Sequence, residues 1–413
     1  MIHYIVMTFT FVSVDILQPM LFRSKDYFNI SENDGSTNGN ILLIDIIIKI
    51  IFAPIYGILT DVIGRKPILF FGYASISVAT CLLSFPNDIY PGYCLIRMFY
   101  AQGTMAIATS PLLADYVADY HKGRASAINV IMASIGAVIS AYVIQNLLTN
   151  NMSLRITSIV IGICIFTVGC LYTVGIKGGN YYKIKKKIYC DKKINENNRN
   201  YCSTANNNVN NNNEKEGKNQ ILDGLKENEF LLKNYKEKRG IKEMLLVGFK
   251  AAKNKWILLG YVTAFLARAN SIIITLFLVL WVKSFYPSNE KDIDDKANIE
   301  ANTFAGVIYT VVFIFAIVYG VLIEKINGFC IMGISLISTI IGISLFGACS
   351  SNKDILVWIT MAIMGVGMAG LDTLNLYLIN KYADPIDRGK INGMAALWGV
   401  VGILIISVLG GTP

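Results

Sequence analysis

The chain has 413 residues, 54% hydrophobic and 16% charged, against roughly 25% charged in soluble domains, so its composition indicates a polytopic membrane protein. A net charge of +9 often marks a nucleic-acid binder, but here the basic residues flank apolar runs; topology accounts for them and no nucleic acid is expected. Two histidines, His3 and His121, and eight cysteines without metal or disulfide spacing suggest no metal or cofactor. No nucleophile–base set and no phosphate-binding glycine loop followed by Lys-Ser/Thr stands out, which argues against an enzyme and against ATP-driven work.

A membrane-crossing helix needs about 20 mostly apolar residues and must close its own backbone hydrogen bonds. Eleven α-helical spans are expected, at 2–22, 41–59, 67–84, 92–117, 124–147, 155–176, 256–283, 302–323, 329–348, 354–379 and 390–410. The first shows no clear cleavage site and is followed by more spans, so it reads as a span and not a secretory signal. With the amino terminus in the cytoplasm, most of the 37 basic residues fall on that side, the bulk of them in one long loop. The opposite side then holds the polar or acidic loops and both sequons, Asn29-Ile30-Ser31 and Asn151-Met152-Ser153. The long loop, 177–255, opens with a basic run. Its Asn195 to Asn213 stretch is low in complexity and expected to be disordered. Gln220 to Lys255 alternates leucines with charges, and a solvated tether is preferred there over an amphipathic helix on the membrane.

Between the second and third spans stands Tyr56-Gly57-Ile58-Leu59-Thr60-Asp61-Val62-Ile63-Gly64-Arg65-Lys66-Pro67. Gly57 lets helices approach closely, Gly64 can take a positive φ, and Pro67 can open the next helix. Asp61, Arg65 and Lys66 mark the membrane boundary, because charges enter hydrocarbon only at a cost. The stretch resembles the major facilitator superfamily signature between helices 2 and 3, G-x-L-x-D-x-x-G-R-K, matched at Gly57, Leu59, Asp61, Gly64, Arg65 and Lys66. An internal repeat accompanies it. Ile51 to Gly57 is echoed by Ile314 to Gly320, Leu59 by Leu322 and Asp61 by Glu324. Lys122-Gly123-Arg124 aligns with Arg388-Gly389-Lys390, and Gly136 with Gly402.

The resemblance implies an all-α major facilitator fold of two pseudo-symmetric six-helix bundles, 1–176 and 256–413, around the cytoplasmic loop 177–255. That family has twelve helices, whereas this chain ends at Pro413 with the eleventh, so the twelfth is expected to be missing, most simply by truncation. The second-half echo keeps the glycine and the acid but has Asn327-Gly328 where Gly64-Arg65 stand, so an asymmetric gate is expected, with Asp61 and Arg65 bracing the cytoplasmic side through the fourth and eleventh spans.

A charge near the bilayer centre costs about 2.5–3.5 kcal/mol and needs a partner or a wet cavity. Asp15, Asp45 and Arg97 fall in the outer third of the first, second and fourth spans. An Asp15–Arg97 pair facing the central cavity is the candidate site of proton and solute exchange; a structural ion pair is the alternative. Asp45 and Lys49 are four apart with the acid first, the favourable order for a pair along one helix. Arg268 and Asp372, in the seventh and tenth spans, lie at similar depth nearer the cytoplasm. Gln102, Asn270 and Asn375 are polar groups able to hydrogen-bond a solute or a neighbouring helix. By the resemblance, Asp115 or Asp119 at the end of the fourth span pairs with Arg65. Asp61 faces the start of the eleventh span near Asp387-Arg388-Gly389, where the helix dipole favours an anion. Arg124 is placed with these gating residues.

Asp15 followed by Gln18-Pro19 looks like the first helix of tetracycline and multidrug exporters. Arg97 with Gln102-Gly103 is similar to the arginine-plus-Gln-Gly pattern of proton-driven antiporters, with the Gln-Gly two residues further along. The Pro-Glu-Ser-Pro-like marker of sugar porters is absent after the sixth span. The resemblance implies a monomeric multi-pass secondary transporter in contact with lipid, moving a small organic solute by alternating access with protons as the coupling ion. An uncoupled facilitator and a non-transporting receptor or scaffold are the alternatives.

Overall fold

Continuous apolar runs, punctuated by short polar turns, make helices that bury one face in protein and offer the other to lipid. The computed structural model describes residues 2–23, 27–28, 34–110, 113, 117, 121–149, 152–176, 241–273, 278–285, 293–384 and 387–411. In chain order the helices are α1 (Ile2–Arg23), α2 (Asp34–Val62), α3 (Arg65–Leu82), α4 (Cys94–Ala108), α5 (Lys122–Thr149), α6 (Leu154–Gly175), α7 (Ile241–Ala251), α8 (Lys255–Ile272), α9 (Leu278–Ser284), α10 (Ile293–Lys325), α11 (Gly328–Gly347), α12 (Ile355–Tyr382) and α13 (Arg388–Gly411). The asparagine-rich stretch and the asparagines of both sequons lie outside the described residues.

Among the described residues, eight helices are long and apolar enough to cross a membrane: α1, α2, α5, α6 and α10 to α13. The expected third, fourth and seventh spans are present as α3, α4 and α8 but fall short of that measure. α3 opens on Arg65-Lys66 and carries Ser75, Ser77 and Thr80. Helix α4 is described only from Cys94 to Ala108, and α8 opens on Lys255, contains Arg268 and is followed by the undescribed residues 274–277. Conversely, α2 and α10 run longer than the expected spans, beginning at Asp34 and Ile293.

Local chemistry sets the helix starts. Asn254, Asn327 and Ser153 precede α8, α11 and α6, and their side chains accept hydrogen bonds from Trp256, Phe329 and Ile156 backbone N–H groups. Gly64, between α2 and α3, has φ 113°, which only glycine adopts readily. Pro54 interrupts the hydrogen-bond ladder of α2 from within.

In one half α1 packs on α5, α3 on α6 and α4, and α2 on α4; in the other α8 packs on α13 and α12, and α12 on α10 and α11. The halves meet along two seams, α2 with α13 and α5 with α10. The repeat is visible in the packing. A Cβ on Gly136 would lie 2.3 Å from the Ile5 carbonyl oxygen, and one on Gly402 would lie 2.4 Å from that of Phe265. Each glycine thus lets α5 and α13 touch the backbone of α1 and α8. Each half has its own core, one around Tyr73, Tyr93 and Tyr100, the other around Phe304, Met361 and Tyr377. Leu171, Val174, Ile337, Ile340 and Ile355 project outward, as lipid-facing side chains do.

The tether expected over Gln220 to Lys255 gives way at its end to the helix α7. Gly248 rests on Met394 and on the Lys390 carbonyl of α13, and its own carbonyl accepts a bond from Tyr261 Oη at 2.9 Å. The reason is local: small Gly248 sits on the inner face while Phe249 and Lys250 stay exposed.

Candidate transport site and clamp

Two groups of candidate side chains stand about 24 Å apart along α2. The first is a clamp at the end bearing the α2–α3 turn. Asp61 points across the seam at the first turn of α13, where Oδ1 accepts the Gly389 N–H and Oδ2 the Lys390 N–H, both at 3.0 Å. Lys390 Nζ lies 3.9 Å from Oδ2 and is also held by Asp387. A carboxylate on free N–H groups at a helix start is favoured by both hydrogen bonding and the dipole. The approach depends on glycine: a Cβ on Gly57 would be 2.6 Å from the Gly389 carbonyl oxygen, and one on Gly389 2.5 Å from that of Gly57. Arg65 lies buried beside Asp61 at 3.8 Å, and Lys66 reaches the Val174 carbonyl at the end of α6 at 3.3 Å.

The mirrored seam carries a clamp as well. Glu324 at the end of α10 accepts the Arg124 N–H at 3.2 Å and pairs with the Arg124 guanidinium at 3.4 Å. Gly123 packs against Glu324, and Gly320 against Ala127. The acid clamp is thus shared by both halves, and the expected asymmetry narrows to Arg65. The acid's partner is the start of the opposite helix and its basic residue, present in both halves; Arg65 is an addition within the first half. Two further bonds cross between halves at this end. Buried Lys122 donates to the Asn380 carbonyl at 2.8 Å, and Asn392 to the Thr109 carbonyl at 2.9 Å. Sequence reasoning missed these four residues and the Glu324–Arg124 pair. The repeat held the signal, since it aligns Lys122-Gly123-Arg124 with Arg388-Gly389-Lys390. Asp115 and Asp119 lie outside the described residues.

The second group is a charge cluster deep in the first half. Arg97, 2% exposed, reaches Asp15 Oδ1 at 3.3 Å through Nη2 and Asp45 Oδ1 at 3.5 Å through Nε. Asp45 is fully buried and also pairs with Lys49 one turn along. The Asp15–Arg97 and Asp45–Lys49 pairs read from sequence are therefore one network, joined by Arg97. Tyr100 lies under the guanidinium, 4.8 Å from it, and donates to the Thr10 carbonyl at 3.1 Å. Tyr93 donates to Gln18 Oε1 at 3.2 Å. Both tyrosines went unnoticed in the sequence, although Tyr93, Arg97 and Tyr100 share one face of a helix at i−4, i and i+3. While Arg97 and Asp45 are sealed in protein, the Asp15 side chain is 61% exposed.

The remaining candidates divide. Gln102 accepts from Tyr56 Oη at 2.7 Å, which ties α4 to α2 away from the cluster. Arg268 is exposed and Asp372 half-buried; they sense each other electrostatically but form no ion pair among the described residues. Arg268 leans over Gly399, where a Cβ would meet its side chain at 2.9 Å. Asn270 is buried, with neither amide atom hydrogen-bonded among the described residues, and Asn375 is half-buried on α12.

Two repeated helical halves meeting at glycine-lined seams, with charges held between them, form the architecture of a multi-pass membrane transporter. The chain belongs to the Major Facilitator Superfamily, whose family model matches residues 4–407. No curated protein matches the sequence. Among solved structures, the proton:xylose symporter XylE bound to 6-bromo-6-deoxy-D-glucose is 13% identical with a TM-score of 0.65, the match covering 99% of this chain and 86% of that one. The E. coli fucose:proton symporter FucP is 13% identical with a TM-score of 0.63, covering 98% and 89%. The human organic anion transporter MFSD10 (TETRAN) is 10% identical with a TM-score of 0.60, covering 98% and 92%. At these identities the likeness is one of fold.

Proposed function

We propose that the protein is a secondary active transporter that moves a small organic solute by alternating access, with proton binding at Asp15 as the coupling step. The observation that carries this reading is the cluster itself. Asp15 is a largely exposed carboxylate resting on a buried arginine that holds a second, fully buried acid. Protonating Asp15 frees one side of Arg97 while Asp45 keeps the guanidinium in place. A proton and a solute group can thus compete for one position, as exchange requires. Known folds of this kind include proton symporters of xylose and of fucose, which favours coupling. Asp15 with Gln18-Pro19 favours the drug and organic-solute antiporter branch. The basic bias, most of it in the loop 177–255, favours a cytoplasmic location for the clamp end. The clamps then close the cytoplasmic side while Asp15 meets water from the opposite side, the outward-open half of the cycle.

The test is solute flux in proteoliposomes with and without a pH gradient. Flux should follow the gradient in the wild type. Asp15→Asn should keep exchange of solute for solute and lose the response to pH. Flux indifferent to pH, and unchanged in Asp15→Asn, would establish an uncoupled facilitator instead.

A further inference from the structure

We infer that the clamp-end rim of the second half carries a binding site for the head group of an anionic phospholipid, built by Lys255 and Lys381 around a stacked pair of rings. Such a site needs a membrane and is independent of solute transport. Trp256 at the start of α8 stacks on Tyr382 at the end of α12, with ring centres 5.4 Å apart and planes 10° from parallel. An ammonium group stands at each ring. Lys255 Nζ is 5.3 Å from the Trp256 ring, and Lys381 Nζ is 5.5 Å from the Tyr382 ring. Lys381 also donates to Tyr377 Oη, which fixes its position and leaves two of its three N–H groups to give. Both lysines are exposed, and neither forms an ion pair among the described residues. A cation laid on an aromatic face is held without being neutralised, so its attraction for an anion remains.

Position and charge select the ligand. The repeat sets Phe329 level with Lys66, which marks the membrane boundary, and Phe329 lies 5.5 Å from Trp256 with 45% of its surface exposed. On the face of α8 that carries Lys255, Leu258 and Val262 follow at i+3 and i+7 and also project outward. The ammonium groups therefore stand at the head of an apolar strip. Lys250, Lys253 and Lys325 are exposed in the adjoining turns. The acids in the same region are Glu324, which Arg124 engages, and Asp384, one charge against five lysines. A free phosphate would meet the lysines and leave the strip unused. A zwitterionic lipid would use the strip but bring its own cation to the lysines. A phospholipid with a net negative head group satisfies both parts. The first half treats its cation at this level differently: Lys66 is closed by the Val174 carbonyl of α6.

The experiment uses the full chain purified in detergent, titrated with phosphatidylglycerol, phosphatidylcholine or inorganic phosphate. Thermal stabilisation and the lipid retained in native mass spectrometry are measured for each. Phosphatidylglycerol should stabilise the protein and stay bound, and the other two should do neither. Lys255→Gln and Lys381→Gln should each weaken the response to phosphatidylglycerol by about fivefold, and the double variant by about twentyfold. Lys255→Arg with Lys381→Arg should keep the response, because the charge is kept. Lys353→Gln, exposed at the opposite end of the helices, should leave it unchanged. Stabilisation by phosphatidylcholine or by phosphate at the level of phosphatidylglycerol overturns the inference. So does a double glutamine variant that responds like the wild type, a double arginine variant that loses the response, or an equal loss in Lys353→Gln.

Discussion

The clamps and the charge cluster use ions in opposite ways. Each clamp sets a carboxylate on the start of an opposing helix, Asp61 on two backbone N–H groups and Glu324 on one, so part of the acid's partner is supplied by the fold and repeated in both halves. The cluster sets side chain against side chain, has no counterpart among the described residues of the second half, and leaves the Asp15 carboxyl largely exposed. A carboxylate satisfied by backbone holds two bodies together and releases them as one unit. A carboxylate that shares an arginine with a second acid can be protonated without collapse of its surroundings. On the proposed reading, the contrast separates holding from sensing within one 24 Å length, about sixteen residues, of α2.

The largest break in that contrast should come from Arg97→Met. It leaves the buried Asp45 with Lys49 alone and should destabilise the protein by about 3–5 kcal/mol, seen as a lowered midpoint in thermal or denaturant unfolding in detergent. A Gly57→Leu variant comes next. Its side chain meets the Gly389 backbone and should force α2 from α13 at a cost of about 1–3 kcal/mol. Increased labelling of a cysteine placed in the clamp end would report it. Asp61→Asn keeps the shape but loses the charge facing the helix start and Lys390. The closed arrangement should weaken by about 1–2 kcal/mol, with solute affinity near normal. A large affinity loss with unaltered labelling would contradict the division of labour. Glu324→Gln should do the same by less than about 1 kcal/mol, because its partner Arg124 is 60% exposed and screened by water.

Much of this was legible in the sequence, for identifiable reasons. Helices followed from apolar runs, and the turn from Gly64. The Asp45–Lys49 pair followed from spacing on one helix, which is a local property. The mirrored clamp was half visible: the repeat paired Asp61 with Glu324, but the missing arginine drew attention to side chains when the essential partner was backbone. The link from Arg97 to Asp45 was not legible, because helix rotation decides which faces of α2 and α4 meet. Nor was α7, whose short amphipathic pattern competes with the charged sequence around it until Gly248 finds the surface of α13.

Pro54 gives α2 a property that its counterpart lacks. It falls between the Asp45–Lys49 pair and the Gly57–Asp61 clamp, and without an N–H it leaves the Ile50 carbonyl out of the ladder. The repeat puts Ile317 at the equivalent place in α10, where the ladder can be complete. The first-half helix thus carries a proline, a place where helices can bend, midway between its cluster and its clamp, and the second-half helix carries none there. Bending at that proline would let the cluster shift before the clamp lets go, whereas Glu324 has no such proline in α10.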